Sequence, residues 1–230
     1  MPRVLLIEDD PAVRDGVHLA LRRLGHDVVA AETGEAGLEQ VRSFRPEVVV
    51  LDLMLPGMSG LEVCRRIRAA DQGLAVIMAT ARGDDVDIVV GLEAGADDYV
   101  VKPVRPRVLE ARIRAVLRRV GGTPADGAAP DRETHGELSI DRSALTVTYQ
   151  GLPITLAPSE MRLLLTLSAS PGQVFSRQRL LEAVWEHDYH ADSRLVDACV
   201  SRLRLKMGTG RDQQRYIQTV RGFGYRFKTP

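Results

Sequence analysis

The chain has 230 residues, 44% hydrophobic and 27% charged, with 31 basic and 31 acidic side chains that cancel. That composition belongs to a globular protein and excludes a chain that is mainly disordered. Its longest apolar stretches, 48–55 and 74–81, fall far short of the roughly 20 residues a membrane helix needs, and the opening Met-Pro-Arg-Val-Leu-Leu-Ile-Glu-Asp-Asp does not read as a secretory leader.

Short apolar runs at 4–7, 27–31, 48–51, 75–79 and 98–101 alternate with helical spacing at 11–24, 34–44, 60–70, 85–94 and 105–119. Pro11 suits a first helical turn and Gly25 a stop. Five strands alternating with five helices predict an α/β unit over residues 1–120, a five-stranded doubly wound parallel sheet covered on both faces. Residues 121–135, rich in Gly, Pro and Ala without an apolar period, read as a flexible linker. From 136 to 230 the pattern changes. Short strands at 138–140, 146–149 and 152–155 precede helices at 158–170, 177–185 and 193–207. The end, 216–220 and 225–228 around Arg221-Gly222-Phe223-Gly224, reads as a hairpin. This predicts an α+β unit of the winged helix-turn-helix kind. Cys64 and Cys199 are too few for a disulfide scaffold and are expected to be reduced, as in a cytoplasm.

Zero net charge hides a gradient. Residues 1–120 carry 17 basic against 19 acidic side chains, residues 121–230 carry 14 against 12, and residues 194–228 carry nine against two. A basic C-terminal stretch on a neutral chain points to a polyanion site; a solvated cationic face is the plain alternative.

In an open parallel sheet, ligands bind beyond the carboxyl ends of the strands. Here the first strand runs into Glu8-Asp9-Asp10, the third ends at Asp52, the fourth at Thr80 and the fifth at Lys102-Pro103. With the order 2-1-3-4-5 these groups converge. Two carboxylates about 5 Å apart repel by about 3 kcal/mol at an effective dielectric near 20, so the group needs a cation or raised pKa values. Lys102 supplies one charge, and a hard divalent ion such as Mg²⁺ would supply the rest. A metal clamped against a carboxylate, with a lysine and a hydroxyl beside it, is the layout of a phosphoryl-transfer site, and Asp52 can be the nucleophile. Glu8-Asp9-Asp10 alone would be no more than charge at a helix N-terminus. Asp52 is harder to dismiss, because a lone buried charge is costly.

Residues 1–120 resemble a response-regulator receiver domain. The resemblance lies in Leu5-Leu6-Ile7-Glu8-Asp9-Asp10, in Val49-Val50-Leu51-Asp52-Leu53-Met54-Leu55-Pro56-Gly57, in Ala79-Thr80-Ala81 and in Gly95-Ala96-Asp97-Asp98-Tyr99-Val100-Val101-Lys102-Pro103. Residues 136–228 resemble the winged-helix effector of the OmpR/PhoB family through Leu156-Ala157-Pro158-Ser159-Glu160, Ser201-Arg202-Leu203-Arg204 and Thr219-Val220-Arg221-Gly222-Phe223-Gly224-Tyr225-Arg226-Phe227.

The resemblance implies a regulator phosphorylated on Asp52 by a sensor histidine kinase. Asp9 and Asp52 would bind Mg²⁺ with the backbone carbonyl of Met54, and Glu8 would act through water. Thr80 and Lys102 would hold phosphate oxygens, Tyr99 would be the aromatic switch, and the bond before Pro103 would be cis. Phosphorylation would favour a homodimer through the segments 85–94, 98–101 and 105–119, with Asp98 facing Arg112, Glu93 facing Arg114, and Asp97 facing Arg118 or Arg119. Ile88 and Val108 stand where the family commonly has a charge pair, which predicts a more apolar contact.

By the same resemblance, residues 193–207 hold the recognition helix for double-stranded promoter DNA. Arg194, Ser201, Arg202 and Arg204, with Arg221 on the wing, are the expected DNA contacts. Asp197 either positions an arginine or accepts from cytosine. Cys199 replaces a common histidine, which predicts altered base preference. The lone Trp185 with Tyr149, Phe175, Tyr225 and Phe227 is expected in the core, while Phe223 on the wing tip reads equally as a partly exposed turn residue. The loop 186–192 is where relatives contact RNA polymerase; its His187, Asp188 and His190 read as polar loop residues. Two other readings compete. A metal-dependent phosphohydrolase of the haloacid-dehalogenase kind would need a second Asp two residues after the nucleophile, where this chain has Met54. A constitutive DNA-binding protein would not need Asp9, Asp52, Thr80 and Lys102 together.

Overall fold

In the computed structural model, which describes residues 1–80, 91, 94–117, 132–185, 193–208 and 214–229, the apolar runs of the first half become one sheet. Its strands are β1 (Arg3–Ile7), β2 (Asp27–Ala31), β3 (Val48–Asp52), β4 (Ala75–Thr80) and β5 (Asp98–Val101). All are parallel, in the order β2-β1-β3-β4-β5. β3 and β4 are buried along their whole length, which is why they read as unbroken apolar runs. The helices are α1 (Pro11–Arg23), α2 (Gly34–Phe44), α3 (Gly60–Ala70) and α4 (Pro106–Leu117). The predicted helix at 85–94 lies almost wholly outside the described residues.

α1 begins as its sequence directs. Asp10 is the N-cap and accepts from the amides of Ala12 and Val13, Pro11 occupies the first turn, and Gly25 turns the chain away at φ +91°. On one sheet face, Val4, Leu6, Val48, Val50 and Ile77 pack with Val17 and Leu21 of α1 and Leu109 and Ile113 of α4. Each such side chain contributes about 1.5–3 kcal/mol by leaving water.

Several residues expected at the dimer face are committed inside the first unit. Asp97 is fully buried; its Oδ2 accepts from Arg68 Nη2 at 2.6 Å and from the Val76 amide at 3.0 Å. Arg68 also donates to the carbonyls of Gly95 and Leu74. Asp97 therefore closes the entry to β5 rather than facing a partner. Asp98 is likewise buried and pairs with Arg112 of the same chain at 2.9 Å. Arg114 bonds Glu110 one turn back on α4, but its side chain is 71% exposed and such a pair is weak, so it stays available at the surface. For Asp97 and Asp98 the cause is the same: a fully buried carboxylate needs a partner from its own fold. Val108 is 44% exposed, while Ile88, Glu93, Arg118 and Arg119 lie outside the described residues.

Glu110 also reaches His26, buried between α1 and β2, through His26 Nε2. Burial would raise the Glu110 pKa, but hydrogen bonds from His26 and Arg114 outweigh it and hold the carboxyl below the ordinary range. A carboxyl depressed on folding contributes stability above its unfolded pKa and loses it as pH falls through the folded value. Glu110→Gln is therefore expected to destabilise the first unit by about 1–3 kcal/mol at neutral pH, with a deficit that shrinks below the ordinary glutamate value of 4.5. Thermal melts across that window check it; a deficit constant with pH would contradict the assignment.

The second unit opens with an antiparallel meander, β6 (Arg132–His135), β7 (Leu138–Asp141), β8 (Thr146–Tyr149) and β9 (Leu152–Ile154). Then follow α5 (Pro158–Ser168), β10 (Val174–Phe175), α6 (Arg177–Trp185), α7 (Arg194–Lys206) and the hairpin β11 (Ile217–Val220) with β12 (Gly224–Phe227). β10 pairs with β12, giving a three-stranded sheet in the order β10-β12-β11. Two strands were not expected. β10 has only two residues. β6 takes the last four residues of the predicted linker, although it has no apolar run. Pairing with β7 holds it, together with Arg142, which binds Glu133 at 2.6 Å and reaches the Leu165 carbonyl and Ser168 Oγ of α5. The rest of that linker lies outside the described residues. Leu163, Leu167, Leu180, Val184, Leu195, Val200 and Leu203 line the core with Trp185, Phe175, Tyr225 and Phe227, as predicted for those four aromatics; Tyr149, predicted with them, is only half-buried. No described helix is long and apolar enough to cross a membrane.

Candidate functional sites, a carboxylate cluster and a basic helix–wing face

At the carboxyl edge of the parallel sheet, Glu8, Asp9 and Asp52 each offer an oxygen, and these three oxygens lie within 4.8 Å of one another. Glu8 and Asp52 are buried and Asp9 is exposed. The strands bring them together: β1 ends just before Glu8, whose amide still bonds the Ala31 carbonyl, and β3 ends on Asp52 itself. The third acid of the run, Asp10, caps α1 instead. Lys102, one residue beyond β5, places Nζ 2.8 Å from Glu8 Oε1 and 2.8 Å from Asp52 Oδ2. The other oxygen of Asp52 accepts from the Met54 amide at 3.2 Å.

One ammonium among three carboxylates leaves a negative excess. Burial raises the Glu8 pKa, the hydrogen bond from Lys102 opposes it, and the neighbouring charge of Asp52 raises it further. For Lys102 burial acts to lower the pKa, but its bonds to Asp52 and Glu8 win and raise it. The donor set is all oxygen, partly buried and two charges short of neutral, which fits a small hard divalent cation.

Thr80, the last residue of β4, is buried, and its carbonyl accepts from the Lys102 amide at 2.8 Å. The Lys102–Pro103 bond is cis, as expected. Tyr99 is buried, with the Arg112 guanidinium 5.9 Å from its ring centre. The start of α3 lies against the site so closely that a Cβ on Gly60 would stand 2.0 Å from the Asp52 carbonyl oxygen. Only glycine fits there. Sequence reasoning missed Arg14. From the first turns of α1 its Nη1 donates to the carbonyls of Glu8 and Asp9, both at 3.0 Å, and so braces the acidic loop. The available signal was a cation one turn inside the helix that follows an acidic run.

In the second unit, α7 turns Leu195, Val196, Cys199, Val200 and Leu203 to the core. Cys199 is fully buried, so it cannot read a base, and the altered preference expected from it has no structural footing. Ser201 and Arg221 are exposed and Arg194 is half-buried. Arg202 and Arg204 depart from expectation. Arg202 Nε donates to Glu160 Oε1 at 3.0 Å. Arg204 donates to the Ile217 carbonyl and to Thr219 Oγ1, both at 2.8 Å through Nη2. Both guanidiniums brace the helix against its own domain, because partners sit within one side-chain length. Asp197 takes the first of its two expected roles. Its Oδ1 accepts from Arg177 Nε at 2.7 Å and from the Tyr225 hydroxyl at 2.6 Å. The loop 186–192 lies outside the described residues.

Comparison with known proteins agrees with both halves. Residues 4–114 match the family described as "Response regulator receiver domain", and residues 151–227 match "Transcriptional regulatory protein, C terminal". The chain is 58% identical over 230 residues to the transcriptional regulatory protein AfsQ1 of Streptomyces coelicolor, covering 100% of both. It is 43% identical over 228 residues to the DNA-binding response regulator MtrA of Mycobacterium tuberculosis, covering 99% of this chain and 97% of the relative. Among solved structures, the response regulator DrrB of Thermotoga maritima, an OmpR/PhoB homolog, is similar with a TM-score of 0.52 at 36% identity over 99% of each chain.

Proposed function

This chain belongs to the response regulators that join a receiver domain to an OmpR/PhoB-type DNA-binding domain, and from that premise we propose that it is a transcription factor switched by phosphorylation of Asp52. The observation that carries the reading is the meeting of Glu8, Asp9 and Asp52 around Lys102 at the strand ends. A sensor histidine kinase is the donor. An Asp52 carboxylate oxygen attacks the phosphorus of the kinase phosphohistidine, the P–N bond breaks as the P–O bond forms, and the departing imidazole nitrogen takes up a proton. Mg²⁺ would be held by Asp9, Asp52 and the Met54 carbonyl, with Glu8 acting through water, and would neutralise charge on the transferring group. Lys102, already on Asp52 Oδ2, and Thr80 hold the phosphate oxygens. Movement of Thr80 is relayed to Tyr99.

The downstream effect is a homodimer through the face that carries Val108, with Ile88, Glu93, Arg114 and Arg119 as further candidates. Arg194, Ser201 and Arg221 contact promoter DNA, and the loop 186–192 meets RNA polymerase in the cytoplasm. Slow loss of its own phosphate is the only turnover expected. Met54, at the position where a dehalogenase-like phosphohydrolase carries its second Asp, weighs against that enzyme.

A titration of promoter duplex with the full chain, with and without acetyl phosphate and Mg²⁺, tests the reading. Coupling between distant sites is typically about 1–3 kcal/mol, so the dissociation constant should fall by roughly 5–150-fold on phosphorylation. Identical curves would favour a constitutive DNA-binding protein instead.

A further inference from the structure

We propose that Phe223 is an apolar wedge that enters the minor groove beside Arg221, so that the wing unstacks base pairs as well as attracting phosphates. The proposal rests on the DNA-binding reading above and adds a contact of a different chemistry to it.

Phe223 is 72% exposed, whereas Trp185, Phe175, Tyr216, Tyr225 and Phe227 of the same unit are buried. Single exposed apolar residues are ordinary on proteins. What sets this one apart is how rigidly it is presented. The turn is closed by the Phe223 amide on the Val220 carbonyl at 2.9 Å. Gly224, at φ +134°, presses on β10 so closely that a Cβ would stand 2.0 Å from the Phe175 carbonyl oxygen. Below the tip, Arg204 ties α7 to Ile217 and Thr219 of β11, and the Tyr225 hydroxyl ties β12 to Asp197 of α7. The hairpin is therefore a fixed extension of the surface that carries Ser201. The ring stands out in water.

The surroundings indicate what covers it. Residues 214–229 carry Arg215, Arg221, Arg226 and Lys228 and not one Asp or Glu. Arg221 shares the tip with the ring, whereas Arg215 and Lys228 stand at the base of the hairpin, Arg215 on Glu137; an aromatic ring beside a cation complements a polyanion with stacked, apolar faces. A narrow minor groove attracts arginine, and apolar side chains enter between base steps there and kink the duplex.

The test uses the full chain and a duplex selected by it from a random pool. Phe223→Ser should raise the dissociation constant about tenfold, the scale of an aromatic–base contact. The slope of log affinity against log salt should stay unchanged, because no charge is lost. Fluorescence energy transfer between the duplex ends should report a smaller bend. Phe223→Leu, which keeps an apolar wedge, should retain most of both. Binding of the serine variant equal to that of the parent overturns the wedge alone. So does an affinity loss without a change in bend, or a loss seen only on duplexes that carry two sites, which would place the ring between neighbouring copies. Failure of the parent chain to select any duplex sinks the DNA-binding reading and the wedge with it.

Discussion

Asp52→Asn is expected to abolish incorporation of phosphate from acetyl phosphate or from a phosphorylated kinase, with the fold intact. Asp52 is 4% exposed, stands at the end of a buried strand, and has one oxygen on the Met54 amide and the other on Lys102. The amide nitrogen of asparagine is not a nucleophile towards phosphorus at neutral pH, and no other carboxylate in the cluster has the same footing: Asp9 is exposed, and Glu8 starts from a different strand. The protein should survive the change. Removing one of three carboxylates relieves two repulsions of about 3 kcal/mol each at 5 Å and an effective dielectric of 20, which together offset the loss of one attraction to Lys102 of about 6 kcal/mol at 2.8 Å. Lys102 keeps Glu8 at 2.8 Å. Mass spectrometry of the intact chain reads the phosphate, and a melting curve reads the fold. A stable phosphate on another residue of the variant would remove Asp52 from the role given to it.

The second large effect is on stability. Glu160, with a side chain 2% exposed, stands in the first turn of α5 and takes three partners from three places: the Ala157 amide at 2.9 Å, Arg202 Nε at 3.0 Å and Lys206 Nζ at 2.7 Å. It closes the N-terminus of one helix and fastens the back of α7 to it. Glu160→Ala takes the shared carboxylate from two cations and an acceptor from a buried amide. Breaking a buried pair from one side costs about 3–5 kcal/mol, a large part of the roughly 5–15 kcal/mol that holds a domain together. At about 4–8 °C per kcal/mol for a unit of this size, the melting transition of the second unit should fall by more than about 10 °C, while that of the first stays in place. Calorimetry on the full chain separates the two transitions. A fall below about 3 °C would mean that the cations find other acceptors and that Glu160 is not the fastening.

Much of this was legible in order of residues. Alternating apolar runs and helical spacing define a parallel sheet because strands buried on both faces must be apolar along their length, as β3 and β4 are up to their last residues, Asp52 and Thr80. Asp10, Pro11 and Gly25 mark the ends of α1 because caps are local. Glu8, Asp9, Asp52, Thr80 and Lys102 stood out because each closes or follows a strand, and the strand order does the rest.

The sequence by itself thus determined the two folds, the strand ends and the acidic cluster, since these depend on period, on local turns and on repulsion between like charges. The tertiary structure alone decided which charged residues are free to act. Asp97, Arg202 and Arg204 looked available on the linear chain, yet Arg68, Glu160 and the Ile217 carbonyl claim them. Arg14 looked unremarkable and Glu160 stood only as part of a motif without a role, yet they brace the two sites. A long cationic side chain has reach in many directions, and its partner comes from a segment tens of residues away. Neither propensity nor spacing carries that information, so the choice between a contact made inside the fold and one offered outside it waits for the packing.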